Sequence, residues 1–114
     1  MDKVICMTHH GAYRIKGRVG KKIDPRRFVE DAVSHGLYDS DLKGNLRLWV
    51  RGQLLPDGQE YAVVHRNYLL VVSGDDRLIT TYAIPGHLQP LAAKLEREKK
   101  RKNDNPETQA TVVR

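Results

Sequence analysis

Apolar and polar positions change period twice along the chain. Thr8 can cap a helix and Gly20 can stop one, so the spacing predicts a first helix from Thr8 to about Val19. Gly11 and Gly17 each weaken that helix by about 1 kcal/mol relative to alanine. It must therefore be held by tertiary contacts or by a ligand. A second helix has clearer punctuation. Asp24 is an N-cap type and Pro25 fits the first helical position. Phe28, Val29, Ala32 and Val33 form its apolar stripe, and Gly36 is expected to close it in a left-handed conformation. Leu42, Leu46, Trp49 and Val50 recur at helical spacing. Leu46, Leu48 and Val50 also alternate as in a strand, but only the helical period accounts for Leu42 and Trp49. Leu54 to Gly58 reads as a turn.

The period then shortens. Tyr61 to His65 is β-branched and aromatic, and Arg66-Asn67 can turn, with Asn67 tolerating positive φ. Tyr68 to Val72 is a nearly unbroken apolar run, as in a central strand. Ser73 to Asp76 is a turn, and Leu78 to Ile84 is a third strand ended by Pro85-Gly86. Pro90 opens a last helix with Leu91, Ala92 and Leu95 on its apolar side. Its end, KLEREKKRK from Lys94 to Lys102, is dominated by basic residues, and the polar tail after it has no periodicity.

These elements predict an α+β fold. N-terminal helices pack on one face of a three- or four-stranded antiparallel β-meander, followed by a C-terminal basic helix and a flexible tail. Residues 1–93 are expected to form a single α+β domain, with the basic helix end and tail in residues 94–114. Phe28, Val29, Ala32, Val33, Trp49, Leu70, Val72 and Ile79 are expected in one contiguous core. The 114 residues suffice for one domain and little more. No apolar run approaches the roughly 18 residues of a membrane span. No long apolar stretch marks a signal peptide near the start, so a cytoplasmic location is expected. Cys6 is the only cysteine, which excludes an intrachain disulfide.

Charge sharpens the picture. The net charge is +6, and residues 1–27 alone carry eight basic against two acidic side chains. Residues 28–93 carry five basic and eight acidic, and residues 94–114 seven basic and four acidic. Positive ends around a mildly acidic middle fit an anionic partner, most often nucleic acid. The plain alternative is a solvated surface that keeps a small protein soluble.

Several chemistries lack their residues. There is no Gly-rich phosphate loop ending in Lys-Ser or Lys-Thr and no Gly-x-Ser-x-Gly elbow. Cys6, His9 and His10 are close in sequence but fall short of a four-ligand zinc set, so neither metal nor cofactor is expected. The informative segment is His10 to Arg18. His10, Arg14 and Arg18 are spaced i, i+4 and i+8, nearly one helical face. Cations in a row are favourable beside an anion, beside an acidic partner surface, or in free solvent. Arginine's planar fork grips phosphate oxygens in pairs. Cleaving RNA without a metal needs a base for the 2′-hydroxyl, cations for the pentavalent phosphate and an acid for the leaving oxygen. Histidine can serve as base or acid near neutral pH, whereas arginine serves only as a cation.

The pattern H-x-x-x-R-I-x-x-R-V-G, then a helix ending in glycine, then L-I-T-x-Y-x-I-P after the strands, resembles a family of small phage-borne domains. That family in turn resembles RelE-type toxins, metal-independent ribonucleases of the barnase–EndoU–colicin–RelE class. The matching positions are His10, Arg14, Arg18, Gly20, Gly36, Tyr68, Leu78, Ile79, Thr80, Tyr82 and Pro85, within about residues 8–86. The resemblance implies N-terminal helices on a curved antiparallel sheet, catalytic roles for His10 and Thr80, and phosphate contacts from Arg14 and Arg18. Lys16, Lys21, Lys22, Arg26 and Arg27 extend the basic surface. RNA is the favoured partner. The alternative is a non-catalytic phage-type inhibitor, for example an anti-CRISPR protein, that binds a nucleic-acid-processing protein. A bare sheet edge would favour a homodimer.

Overall fold

The structure is a computed structural model that describes residues 5–7, 9–55 and 58–103. Thr8, part of the expected turn at Pro56-Asp57, and the tail beyond Asn103 lie outside the described residues. The fold is α+β. Helices α1 (His9–Arg18), α2 (Pro25–His35) and α3 (Gly44–Gly52) precede strands β1 (Glu60–His65), β2 (Tyr68–Ser73) and β3 (Leu78–Ala83), and α4 (Gln89–Asn103) follows. The strands form an antiparallel meander in the order β1-β2-β3. No helix among the described residues is long and apolar enough to cross a membrane.

The helices cover both faces of this sheet, not one. On one face Val63, Leu70, Val72 and Leu78 pack against Ile15 of α1 and Phe28, Val29 and Ala32 of α2. On the other, Ala62, Val64, Leu69 and Val71 pack against Leu46 and Val50 of α3 and Ala92 and Leu95 of α4. Successive strand residues point to opposite faces, so β2 buries Leu69, Leu70, Val71 and Val72 alike. That explains its unbroken apolar run.

The expected single core is therefore two cores. Phe28, Val29, Ala32, Leu70 and Val72 belong to the first, with Val33 at its margin, while Trp49 packs at the margin of the second. Ile79 belongs to neither. Val71 pairs with Thr80 but Val72 pairs with Leu78, so Ile79 is the extra residue of a β-bulge and is 40% exposed. A bulge breaks the two-residue alternation on which the expectation rested.

The joints between elements are specific. The side chain of Asp24 accepts a hydrogen bond from the Arg26 backbone N–H (3.1 Å), and Pro25 starts α2. Gly36 ends α2, but in extended rather than left-handed backbone (φ −72°, ψ 170°). Space is what requires glycine here. A Cβ would lie 2.4 Å from the Ala32 carbonyl oxygen and 2.5 Å from Val63 Cγ1. The β1–β2 hairpin turns on Arg66 and Asn67, both at positive φ (49° and 69°), which matches the right-handed twist of the strands.

Both sheet edges find partners within the chain. Leu37 and Val64 exchange backbone hydrogen bonds (2.7 and 2.9 Å) beside β1. Beside β3, the Cys6 N–H donates to Asp76 and its carbonyl accepts from Leu78 (2.7 and 3.0 Å). The sheet-edge argument for a second copy loses its basis at these positions. Residue 93 falls inside α4, which continues to pack through buried Leu95.

Candidate nucleic-acid interface

α1 has ten residues, too few to persist alone in water. Ile15, fully buried, and packing along β3 hold it in place. That docking decides where the basic residues go. Arg14 and Arg18 lie one turn apart on the flank facing β3. Arg14 Nη1 donates to Thr80 Oγ1 at 3.0 Å, and the Arg18 guanidinium carbon stands 5.6 Å from the centroid of the Tyr82 ring. The two arginines thus meet Thr80 and Tyr82, alternate strand residues beyond the bulge at Ile79.

Thr80 is only 6% exposed, so its hydroxyl fixes the orientation of the Arg14 fork. His10 lies in the first turn of α1, and its side chain is outside the described residues. The structure thus brings Arg14 and Thr80 together and leaves the position of the imidazole open.

The other basic residues continue this surface. Lys16 is exposed on α1, Lys21 and Lys22 are exposed in the connection to α2, and Arg26 and Arg27 are exposed in the first turn of α2. None of Lys16, Arg18, Lys21, Lys22, Arg26 and Arg27 forms an ion pair with a described residue.

Helix dipoles separate these cations into two kinds. Lys16 and Arg18 occupy the last turn of α1, where positive charge is favourable. Arg26 and Arg27 occupy the first turn of α2, where the dipole is positive and repels them. That turn holds no acidic residue. The Asp24 side chain that caps it is engaged by a backbone N–H. Glu30 and Asp31, one turn further along α2, form no ion pair with them.

Tyr13, Tyr82 and His65 were not among the expected site residues. Tyr13 is 77% exposed on α1. It lies two residues from Ile15, the anchor of the helix, so helical geometry alone would have turned it outward. Tyr82 was visible as a strand residue, but its place beneath Arg18 depends on how α1 docks. His65 is 5% exposed at the end of β1, its ring 5.5 Å from that of Phe28, and neither ring nitrogen has a hydrogen-bond partner among the described residues. Burial pushes its pKa down to about 4, helped by the nearby charges of Arg66 and His35 and opposed by Asp31.

The remaining charged clusters are internal braces. Asp39 accepts two hydrogen bonds from Arg51 (2.9 Å each), which hold its carboxyl below the usual range. Lys99 Nζ donates to the Gly36 carbonyl (2.7 Å) and to Asp41 Oδ2 (2.8 Å), joining α4 to the end of α2. Burial alone would raise the Asp41 pKa, but Lys99 and the Tyr38 N–H outweigh it and the net shift is downward.

No protein-family model, curated protein or solved structure matches this chain.

Proposed function

We propose that this protein binds RNA through the surface formed by α1, the connection after it and the first turn of α2. The observation that carries the reading is the placement of Arg26 and Arg27. They sit at the positive end of a helix, a few residues after Lys21 and Lys22, and form no ion pair with a described residue. An anion at this helix end would offset both the helix dipole and the mutual repulsion of these cations. Arg14, oriented by Thr80, would supply a fork for one phosphate, and Arg18 the next contact.

Metal-independent cleavage, which the RelE-type likeness implies, is the catalytic extension of this reading. His10 would act as acid or base beside the phosphate that Arg14 holds. Arg14 would stabilise the charge that develops on the phosphoryl oxygens.

Incubation with RNA tests both levels. Replacing Arg14 and Arg18 by alanine should weaken RNA binding while leaving the helical signal intact, because alanine is the better helix former. Cleavage, if catalysed by His10, should survive a chelator and fall roughly 10²–10⁴-fold in His10→Ala. Binding without cleavage would remove the catalytic extension. Failure to bind RNA, with tight binding to an acidic protein surface, would replace the reading with the inhibitor role.

A further inference from the structure

We propose that Tyr13 is a base-stacking residue that makes this surface select unpaired RNA over duplex. The inference rests on the RNA-binding reading and deepens it. Tyr13 is the most exposed of the exposed large apolar side chains, at 77%. It makes no hydrogen bond or ring contact with a described residue. It lies on the pole of α1 opposite buried Ile15, with Lys16 one turn further along.

Gly17 is the second observation. It is one turn from Tyr13 on the same exposed pole, inside the helix, and its φ is not positive. A Cβ placed there would meet nothing within 4 Å. Among the described residues no turn, close approach or crowded neighbour requires glycine, and alanine would make a firmer helix. By contrast, Gly36 is surrounded at 2.4–3.0 Å. Gly17 leaves the exposed pole of α1 without side-chain bulk one turn from Tyr13, which suits a planar group coming from outside.

An exposed aromatic ring on a basic surface, with Lys16 one turn away, is the arrangement that binds single strands. Cations follow the backbone, while any base can stack on the ring regardless of its identity. In a duplex the bases are already stacked on one another and cannot reach a ring on a convex helix. Tyr13 therefore adds affinity only where bases are free.

Fluorescence anisotropy with a short labelled RNA, alone and annealed to its complement, tests this. Tyr13→Ala should weaken binding of the single strand roughly 5- to 100-fold and change duplex binding less than about 2-fold. Tyr13→Phe should bind both forms like the natural protein, because stacking needs the ring and not the hydroxyl. Gly17→Leu should reproduce the single-strand loss with an unchanged or higher melting temperature. Equal effects of Tyr13→Ala on both RNA forms, or no effect on either, would overturn the proposal. If Lys21→Gln with Arg26→Gln still weakens binding to both forms in that case, the RNA-binding reading stands and only stacking falls. If the natural protein binds neither form, both fall.

Discussion

The cations of this protein live in two different settings. Around α3 and α4, Arg47 and Arg51 pair with Asp39, and Lys99 with Asp41. Lys99 also reaches the carbonyl that ends α2 and lies 5.0 Å over the Tyr38 ring. Around α1 and the start of α2, Lys16, Lys21, Lys22, Arg26 and Arg27 have no such partner among the described residues. Arg47, Arg51 and Lys99 brace the fold, whereas the cations of the α1–α2 surface, like Lys94, Arg97, Lys100 and Arg101 of α4, form no ion pair with a described residue. A count of charges cannot distinguish them. The position of the neighbouring carboxylates can, and so can the sign of the helix end on which a cation sits.

The glycines repeat the contrast and allow the strongest test of it. Gly36 lies where α2, β1 and α4 converge, and Gly36→Ala must push a methyl group into backbone oxygen and Val63. The expected loss is about 3 kcal/mol or more, read by urea unfolding. If Gly36→Ala were as stable as the natural protein, the braced region would be far more pliable than its distances imply.

His65 belongs to the braced region and gives it a pH dependence. Its folded pKa of about 4 lies below the unfolded value of 6.5, so between them the unfolded chain holds a proton that the fold refuses. Stability is fully present above pH 6.5 and is lost as pH falls toward about 4, by at most about 3 kcal/mol. Glu96, with Oε2 3.9 Å from His65 Nδ1, has a pKa raised by burial and contributes with the opposite sign. Unfolding curves of the natural protein and His65→Leu should therefore converge near neutral pH in slope and diverge below it. Parallel curves from pH 4 to 7 would show that His65 titrates normally.

Lys99→Met should cost about 1–2 kcal/mol, since it removes two hydrogen bonds from a partly buried brace. It should leave RNA affinity unchanged. Gly17→Ala is the smallest effect and has the opposite sign, a gain of up to about 1 kcal/mol in the outward-facing region. A destabilised Gly17→Ala would mean that the space around Gly17 is not open.

Much of this architecture was legible in the chain. Asp24-Pro25 marked the start of α2, the two hairpin turns were placed, and the helical period through Trp49 located α3. What was not legible depended on long-range geometry. The bulge at Ile79 reversed the side on which that residue emerges, and no local pattern announces one. Gly36 was recognisable as a terminator, but its crowding by Val63 arises only when the sheet meets α2. At the candidate site, the spacing of Arg14 and Arg18 was visible, and the likeness pointed to Thr80. The hydrogen bond that unites Arg14 with Thr80 spans 66 residues and appears only in the fold. The pairing of Arg47, Arg51 and Lys99 was invisible, because their aspartate partners lie outside their own helices.

The most direct test compares two sets of three cations in one salt titration of RNA affinity. One variant changes Lys21, Lys22 and Arg26 to glutamine. The other changes Arg47, Arg51 and Arg77, each within ion-pair distance of an aspartate. Both lose the same formal charge. For single-stranded RNA, the first should bind more weakly and flatten the slope of log affinity against log salt by about 2, the amount expected when three phosphate contacts are lost. The second should keep the natural slope. Equal slopes for the two variants, or a natural slope in the first, would contradict the assignment of the α1–α2 surface as the phosphate-binding face.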